Sequence, residues 1–166
     1  MKLIEADLIT LLQAVGVPKI NPELRQLFLR EWFCWKWTTR RGKYFGCRYW
    51  SERALEQLKE SGDSGLRHEH VIPRAELARL LDAQLVRAVS AADLAVWLDR
   101  MCIGCVLTEE EDDRLGGPLT SRMPDGWDGG DSWARYWQAF GSSGIVIWEV
   151  GSDRSLIRRI DLGGAR

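Results

Sequence analysis

Leu66-Arg67-His68-Glu69-His70-Val71-Ile72-Pro73-Arg74 holds both histidines of a 166-residue chain, separated by one glutamate. The apolar pair Val71-Ile72 stopped by Pro73 reads as the end of a strand or extended segment, because proline offers no ladder donor and turns the residue before it away from helix. Side chains alternate along extended backbone, which puts His68 and His70 on one face and Glu69 on the other. Imidazole titrates nearest neutrality, so it serves as a base or a metal ligand without a large pKa shift, and the carboxylate adds a hard oxygen ligand or orients a ring. A pair of ordinary half-buried histidines at a strand end fits the same letters.

Moving toward the N-terminus, 61–65 is a small polar loop preceded by a helix from 52 to 58, for which Ser51 is the N-cap and Glu52 the first-turn acid. Between Trp32 and Trp50 aromatic residues interleave with Lys36, Arg40, Arg41, Lys43 and Arg48. Cations that neutralise phosphates beside rings that stack on unpaired bases make a nucleic-acid surface. Equally, the rings belong to a core and Arg40-Arg41-Gly42-Lys43 is a solvated turn between two strands. Upstream, Asn21-Pro22 opens a helix through Leu24, Leu27, Phe28 and Trp32, and Leu3, Ile4, Leu8, Leu11, Leu12 and Val15 form the stripe of an earlier one.

Toward the C-terminus, Leu77, Leu80, Leu81 and Leu85 predict a helix, and Ser90 caps another with Leu94, Trp97 and Leu98. Cys102 to Thr108 reads as a turn into a short β-rich run, with Thr108 capping a helix from Glu109 to Leu115. The five consecutive acids Glu109 to Asp113 suit a helix N-terminus, yet they repel one another, and a bound cation would relieve that repulsion. Cys102 and Cys105 have the spacing of half a structural zinc site, with Cys34, Cys47, His68 and His70 as the remaining candidates; buried thiols are the alternative. A Gly/Pro-rich loop over 116–131 leads to a short helix capped by Asp131. A buried strand over 144–150 then pairs with 155–160 as a hairpin across 151–154.

Glu69-His70-Val71-Ile72-Pro73 resembles the first motif of the HNH, or His-Me finger, nucleases, and the order of histidine motif, Cys-x-x-Cys, strand-like residues and helix is similar to that family's ββα unit. The resemblance implies that His70 is the base activating water. Glu69 and Asp112 are then the ligands of a divalent ion, Mg or Mn, with His68 an extra candidate, and DNA or RNA is the substrate. It spans 66–115. The chain departs from the family in two places: no Asn or His stands between 102 and 115, so Asp112 or Glu111 must supply the last ligand, and two helices separate His70 from Cys102 as an insertion.

A chain of this length with 45% hydrophobic residues is expected to form one domain over 1–166, with segments 1–60, 66–115 and 116–166. The net charge of −1 supplies no global basic field for nucleic acid, so such contacts must be local. No apolar run reaches the length of a membrane span and acids stand near the N-terminus, which points to a cytoplasmic protein with no membrane partner and reduced thiols. The expected fold is α+β: a helical N-terminal scaffold around a small ββα-metal-like unit with an insertion, plus a C-terminal β-hairpin. Two functions follow, a metal-dependent HNH-like endonuclease or a non-catalytic inhibitor or adaptor of a nucleic-acid-processing system that grips a protein partner through Trp-rich surface.

Overall fold

A computed structural model describes residues 22–37, 44–87, 91–141 and 144–162. The elements in chain order are α1 (Pro22–Trp37), β1 (Tyr49–Ser51), α2 (Glu52–Ser61), β2 (Leu66–His70), α3 (Arg74–Arg87), α4 (Ala91–Met101), β3 (Gly104–Thr108), α5 (Glu109–Arg114), a 3₁₀ turn (Gly117–Leu119), α6 (Ala134–Phe140), β4 (Ile147–Val150) and β5 (Leu156–Arg159). The fold is α+β, with helices around one five-stranded sheet ordered β2-β3-β1-β4-β5. β1 and β3 run parallel, and every other neighbouring pair is antiparallel. The expected stripe over residues 3–15 lies outside the described residues.

Register divides the sheet into two faces. His68, Val106, Trp50, Trp148 and Arg159 stand in one cross-strand row, and Glu69, Cys105, Tyr49, Glu149 and Arg158 in the adjacent row, which points to the other face. The first face packs Leu66, Trp50 and Val106 against Phe28, Leu29 and Trp32 of α1, Ala54 and Leu55 of α2, Leu77 and Leu81 of α3 and Leu94 and Leu98 of α4. On the second face Cys105, Leu107 and Ile147 meet Val71, Leu115 and the α6 residues Tyr136 and Phe140.

α1 continues through Trp37, so the aromatic stretch after Trp32 begins as helix and not as the first of two strands. Phe28 and Trp32, one turn apart, place their rings 6.1 Å from each other in the core, and this helical periodicity outweighs the aromatic preference for strand. Gly62 ends α2 at φ 78°, where a side chain would be strained. At Gly144 a Cβ would come within 2.4 Å of the Phe140 carbonyl oxygen, so only glycine lets the chain pass the end of α6.

Two caps tie the helices to the sheet. Ser51 Oγ accepts from the Ala54 amide at 3.0 Å, as the sequence predicts, and donates to Glu111 Oε2 at 2.5 Å. Glu111 also accepts from the Thr108 amide at 3.0 Å, while Thr108 Oγ accepts from the Glu111 amide at 3.2 Å, which completes a capping box for α5. One buried hydroxyl therefore holds the starts of two helices on adjacent strands. Ser51→Ala removes the α2 cap and one donor to a buried carboxylate, and should lower stability by about 2–3 kcal/mol in urea denaturation; a loss below about 0.5 kcal/mol would show that the bridge is dispensable.

Candidate functional site

β2 remains a regular strand through the histidine motif, with His68 opposite Val106, Glu69 opposite Cys105 and His70 opposite Gly104. The two histidines share one face, with ring centroids 6.4 Å apart. Glu69 points to the other face, as alternation requires. Val71 then leaves the strand, its amide donating to the Ile103 carbonyl at 3.0 Å.

On the Glu69 face the dominant feature is Arg135 of α6, which is 1% exposed. Its Nη2 lies 2.5 Å from Glu69 Oε2 and donates to the His70 carbonyl at 2.6 Å, and its Nη1 donates to the Leu119 carbonyl at 2.9 Å. The Tyr136 hydroxyl lies between Glu69 Oε2, at 3.4 Å, and the Cys105 thiol. Burial pushes the Glu69 carboxyl from its ordinary 4.5 up to about 7, against the opposing pull of Arg135 and with a smaller push from Asp112. Asp112 is raised as well, first by burial and then by Asp113. Glu69 and Asp112, two of the predicted ligands, are therefore close enough to feel each other, with Arg135 beside both.

On the opposite face Cys47 Sγ sits 2.7 Å from His68 Nε2. Burial raises the Cys47 thiol pKa, so the sulfur stays protonated beside the ring. Tyr44 meets the His68 ring edge-on at 6.1 Å. His70 is pushed down to about 3, by burial first and then by Arg74, His68 and Arg135. It is a neutral ring at physiological pH. The ring is half-buried and largely withdrawn from water.

The predicted centre is thus divided by the sheet: Glu69 and Asp112 lie on one side, His68 and His70 on the other. Among the described residues no group of three or more His, Cys, Asp or Glu converges as a metal ion requires. Three of the five acids of α5 are served individually. Arg67 pairs with Glu109, Arg53 with Glu110 at 3.2 Å, and Glu111 turns inward as the capping residue, while Asp113 and Glu109 still press on Asp112. Cys102 and Cys105 pack into different core clusters on either side of the sheet and do not form a common ligand pair. Of the basic stretch, Arg40, Arg41 and Lys43 lie outside the described residues, as does the Lys36 side chain, while Arg48 is exposed and ion-paired with Glu149.

Sequence reasoning missed Arg135 and Tyr136. The available signal was an arginine enclosed by Trp133, Tyr136 and Trp137 in a short helix, which cannot be buried without a carboxylate. No known protein family, curated protein or solved structure matches the chain.

Arg135→Met leaves Glu69 as a buried carboxylate without its cation and frees two backbone carbonyls, and should cost about 3–5 kcal/mol by chemical denaturation. A loss below about 1 kcal/mol would mean that Glu69 is neutral and the pair contributes little. Glu69 and His70 have opposite effects on pH dependence. With its pKa raised in the folded state, Glu69 lowers stability as pH rises from about 4.5 to 7; His70, with its pKa depressed, raises stability as pH rises from about 3 to 6.5. Their contributions offset across the overlap. Glu69→Gln should therefore expose a rising slope between about pH 4.5 and 6.5, and His70→Gln a falling one; parallel profiles in the two variants would refute these assignments.

Proposed function

We propose that this protein is a non-catalytic binding protein, an inhibitor or adaptor in a nucleic-acid-processing system, built around a ββα unit like that of the HNH nucleases. In this reading β2, β3 and α5 are the two strands and helix of the unit and α3 with α4 is its insertion. α1 and α2 form the helical scaffold and β4 with β5 the C-terminal hairpin. The antiparallel pairing of β2 with β3, followed without a gap by α5, supports that frame.

The observation that carries the reading is the buried guanidinium of Arg135 on Glu69. It holds three acceptors, the Glu69 carboxylate and the carbonyls of His70 and Leu119, and cannot leave without taking a donor from all three and the counter-charge from a carboxylate largely withdrawn from water. A divalent ion between Glu69 and Asp112 would meet this fixed positive charge. His68, the extra candidate ligand, faces away from the site toward Cys47. These residues do not fit the ion, and no cleavage step is derived from them. A protein partner is favoured over nucleic acid by the balanced charge and by exposed Leu156 and Ile157 on the β5 edge.

The test is incubation of the protein with single- and double-stranded DNA and RNA in magnesium or manganese, with calorimetric titration of each metal. No metal-dependent cleavage above that of His70→Ala and no stoichiometric metal binding are expected. Cleavage lost in both His70→Ala and Asp112→Asn, with circular dichroism unchanged, would overturn the proposal and establish the endonuclease.

A further inference from the structure

β5 is the last strand in the sheet order, and all four of its residues are exposed, Leu156 at 54% and Ile157 at 59%. Arg158 lies opposite Glu149, and the Ile160 amide donates to the Ile147 carbonyl at 2.8 Å. By the alternation of an antiparallel ladder, the Arg159 amide points away from β4. The strand therefore offers backbone donors and acceptors and two aliphatic side chains to a further strand.

The turn that leads into β5 holds a second feature. Arg154 has φ 63°, the only positive value at a non-glycine residue among the described residues. Its guanidinium carbon lies 4.0 Å from the Phe45 ring centroid and 4.9 Å from that of Trp50. Two rings thus strip water from the cation, yet among the described residues its side chain makes no hydrogen bond or ion pair, and its Nε is buried without an acceptor. The neighbouring carboxylate of Asp153 does not serve it, because Oδ1 accepts from the Ser155 amide at 3.0 Å and from Ser155 Oγ at 2.7 Å. Arg158 is taken by Glu149 at 2.5 Å. A left-handed arginine that meets no anion among the described residues, at the head of an open edge, is a costly arrangement that an external carboxylate would stabilise.

We propose that β5 is the docking edge for an extended acidic segment of a partner protein, which adds as a sixth strand and places a carboxylate on the Arg154 guanidinium. The ladder supplies affinity, and Leu156, Ile157, Phe45 and the arginines supply selectivity. Charge decides the occupant: β5 carries arginines and no acid, so a second copy paired through β5 would bring Arg159 of both copies together with no carboxylate on either strand, whereas alternating acidic and apolar residues match the edge. The proposal deepens the binding-protein reading and rests on it. Its test reads peptide binding and not cleavage, so either can fail without the other.

The probe is a short blocked peptide of alternating Glu and Val, titrated into the isotope-labelled full chain and followed by amide and Trp indole NMR shifts. A Lys/Val peptide and a single-stranded oligonucleotide serve as comparisons. Saturable shifts confined to residues 154–160 and the Trp50 indole are expected from the acidic peptide alone. Arg154→Gly, which suits a positive φ and should leave the melting temperature intact, is expected to weaken binding about tenfold, and Ile157→Lys is expected to weaken it as well. The proposal is overturned by an acidic peptide that causes no shifts, by equal shifts from the Lys/Val peptide, by undiminished binding to Arg154→Gly, or by an oligonucleotide that takes the same residues more tightly.

Discussion

The ion pair between Glu69 and Arg135 is the constraint on which the arrangement of the second sheet face depends. β2 must alternate to bury Leu66 beneath the helices of the first face, and that places a carboxylate where α6 covers the sheet. An unpaired carboxylate there would cost several kcal/mol, so the element packed on it has to bring a cation. α6 brings Arg135, and the same guanidinium ties the end of β2, through the His70 carbonyl, to the 3₁₀ turn, through that of Leu119. The pair's net contribution to stability is smaller than its Coulomb attraction, since both groups are desolvated. Its main effect is positional: it fixes one end of α6 across the sheet, while Tyr136 and Phe140 fill the apolar space beside it.

The features legible in the sequence were those set by neighbours a few residues away. Ser51 and Thr108 were readable as caps because a cap binds the amide three positions on. The opposite facing of Glu69 and the two histidines followed from strand alternation alone, and the pairing of β4 with β5 from the turn residues between two apolar runs. Arg135 was not legible as the partner of Glu69, since nothing local joins residues 66 positions apart. The burial of Glu111 was hidden for a related reason. Within a run of five acids each reads as solvated, and only the third dimension shows that Ser51 stands where one of them can turn inward.

The same alternation qualifies the resemblance to the HNH motif. Adjacent residues such as Glu69 and His70 reach one centre only if the strand ends or bulges between them. Here His70 is still in register opposite Gly104 and the chain leaves the sheet at Val71. The letters of the motif therefore occur without the backbone departure that would bring the two side chains together. Each has acquired its own surroundings: a cation for the acid, and for the second ring a burial that keeps it neutral. A motif match specifies residue types in order, whereas chemistry depends on the side of the backbone each one occupies.

The two edges of the sheet are treated differently, and this bears on where a partner can bind. At the β2 edge the carbonyls at both ends of the strand are occupied by side chains, Leu66 by the Tyr44 hydroxyl at 2.7 Å and His70 by Arg135. Arg67, between them, is paired with Glu109. Such fittings blunt an edge against further strands. β5 has no equivalent cover among the described residues; its side chains are exposed, and the arginine at its head is enclosed by rings rather than by acceptors. Glu69, buried at the β2 end, is matched internally by Arg135, while Arg154, which has no anion among the described residues, lies at the opposite edge. Among the described residues the electrostatics left without an internal counterpart thus lie at the hairpin and not at Glu69, on the open side of the sheet and away from the ion pair that orders its other end.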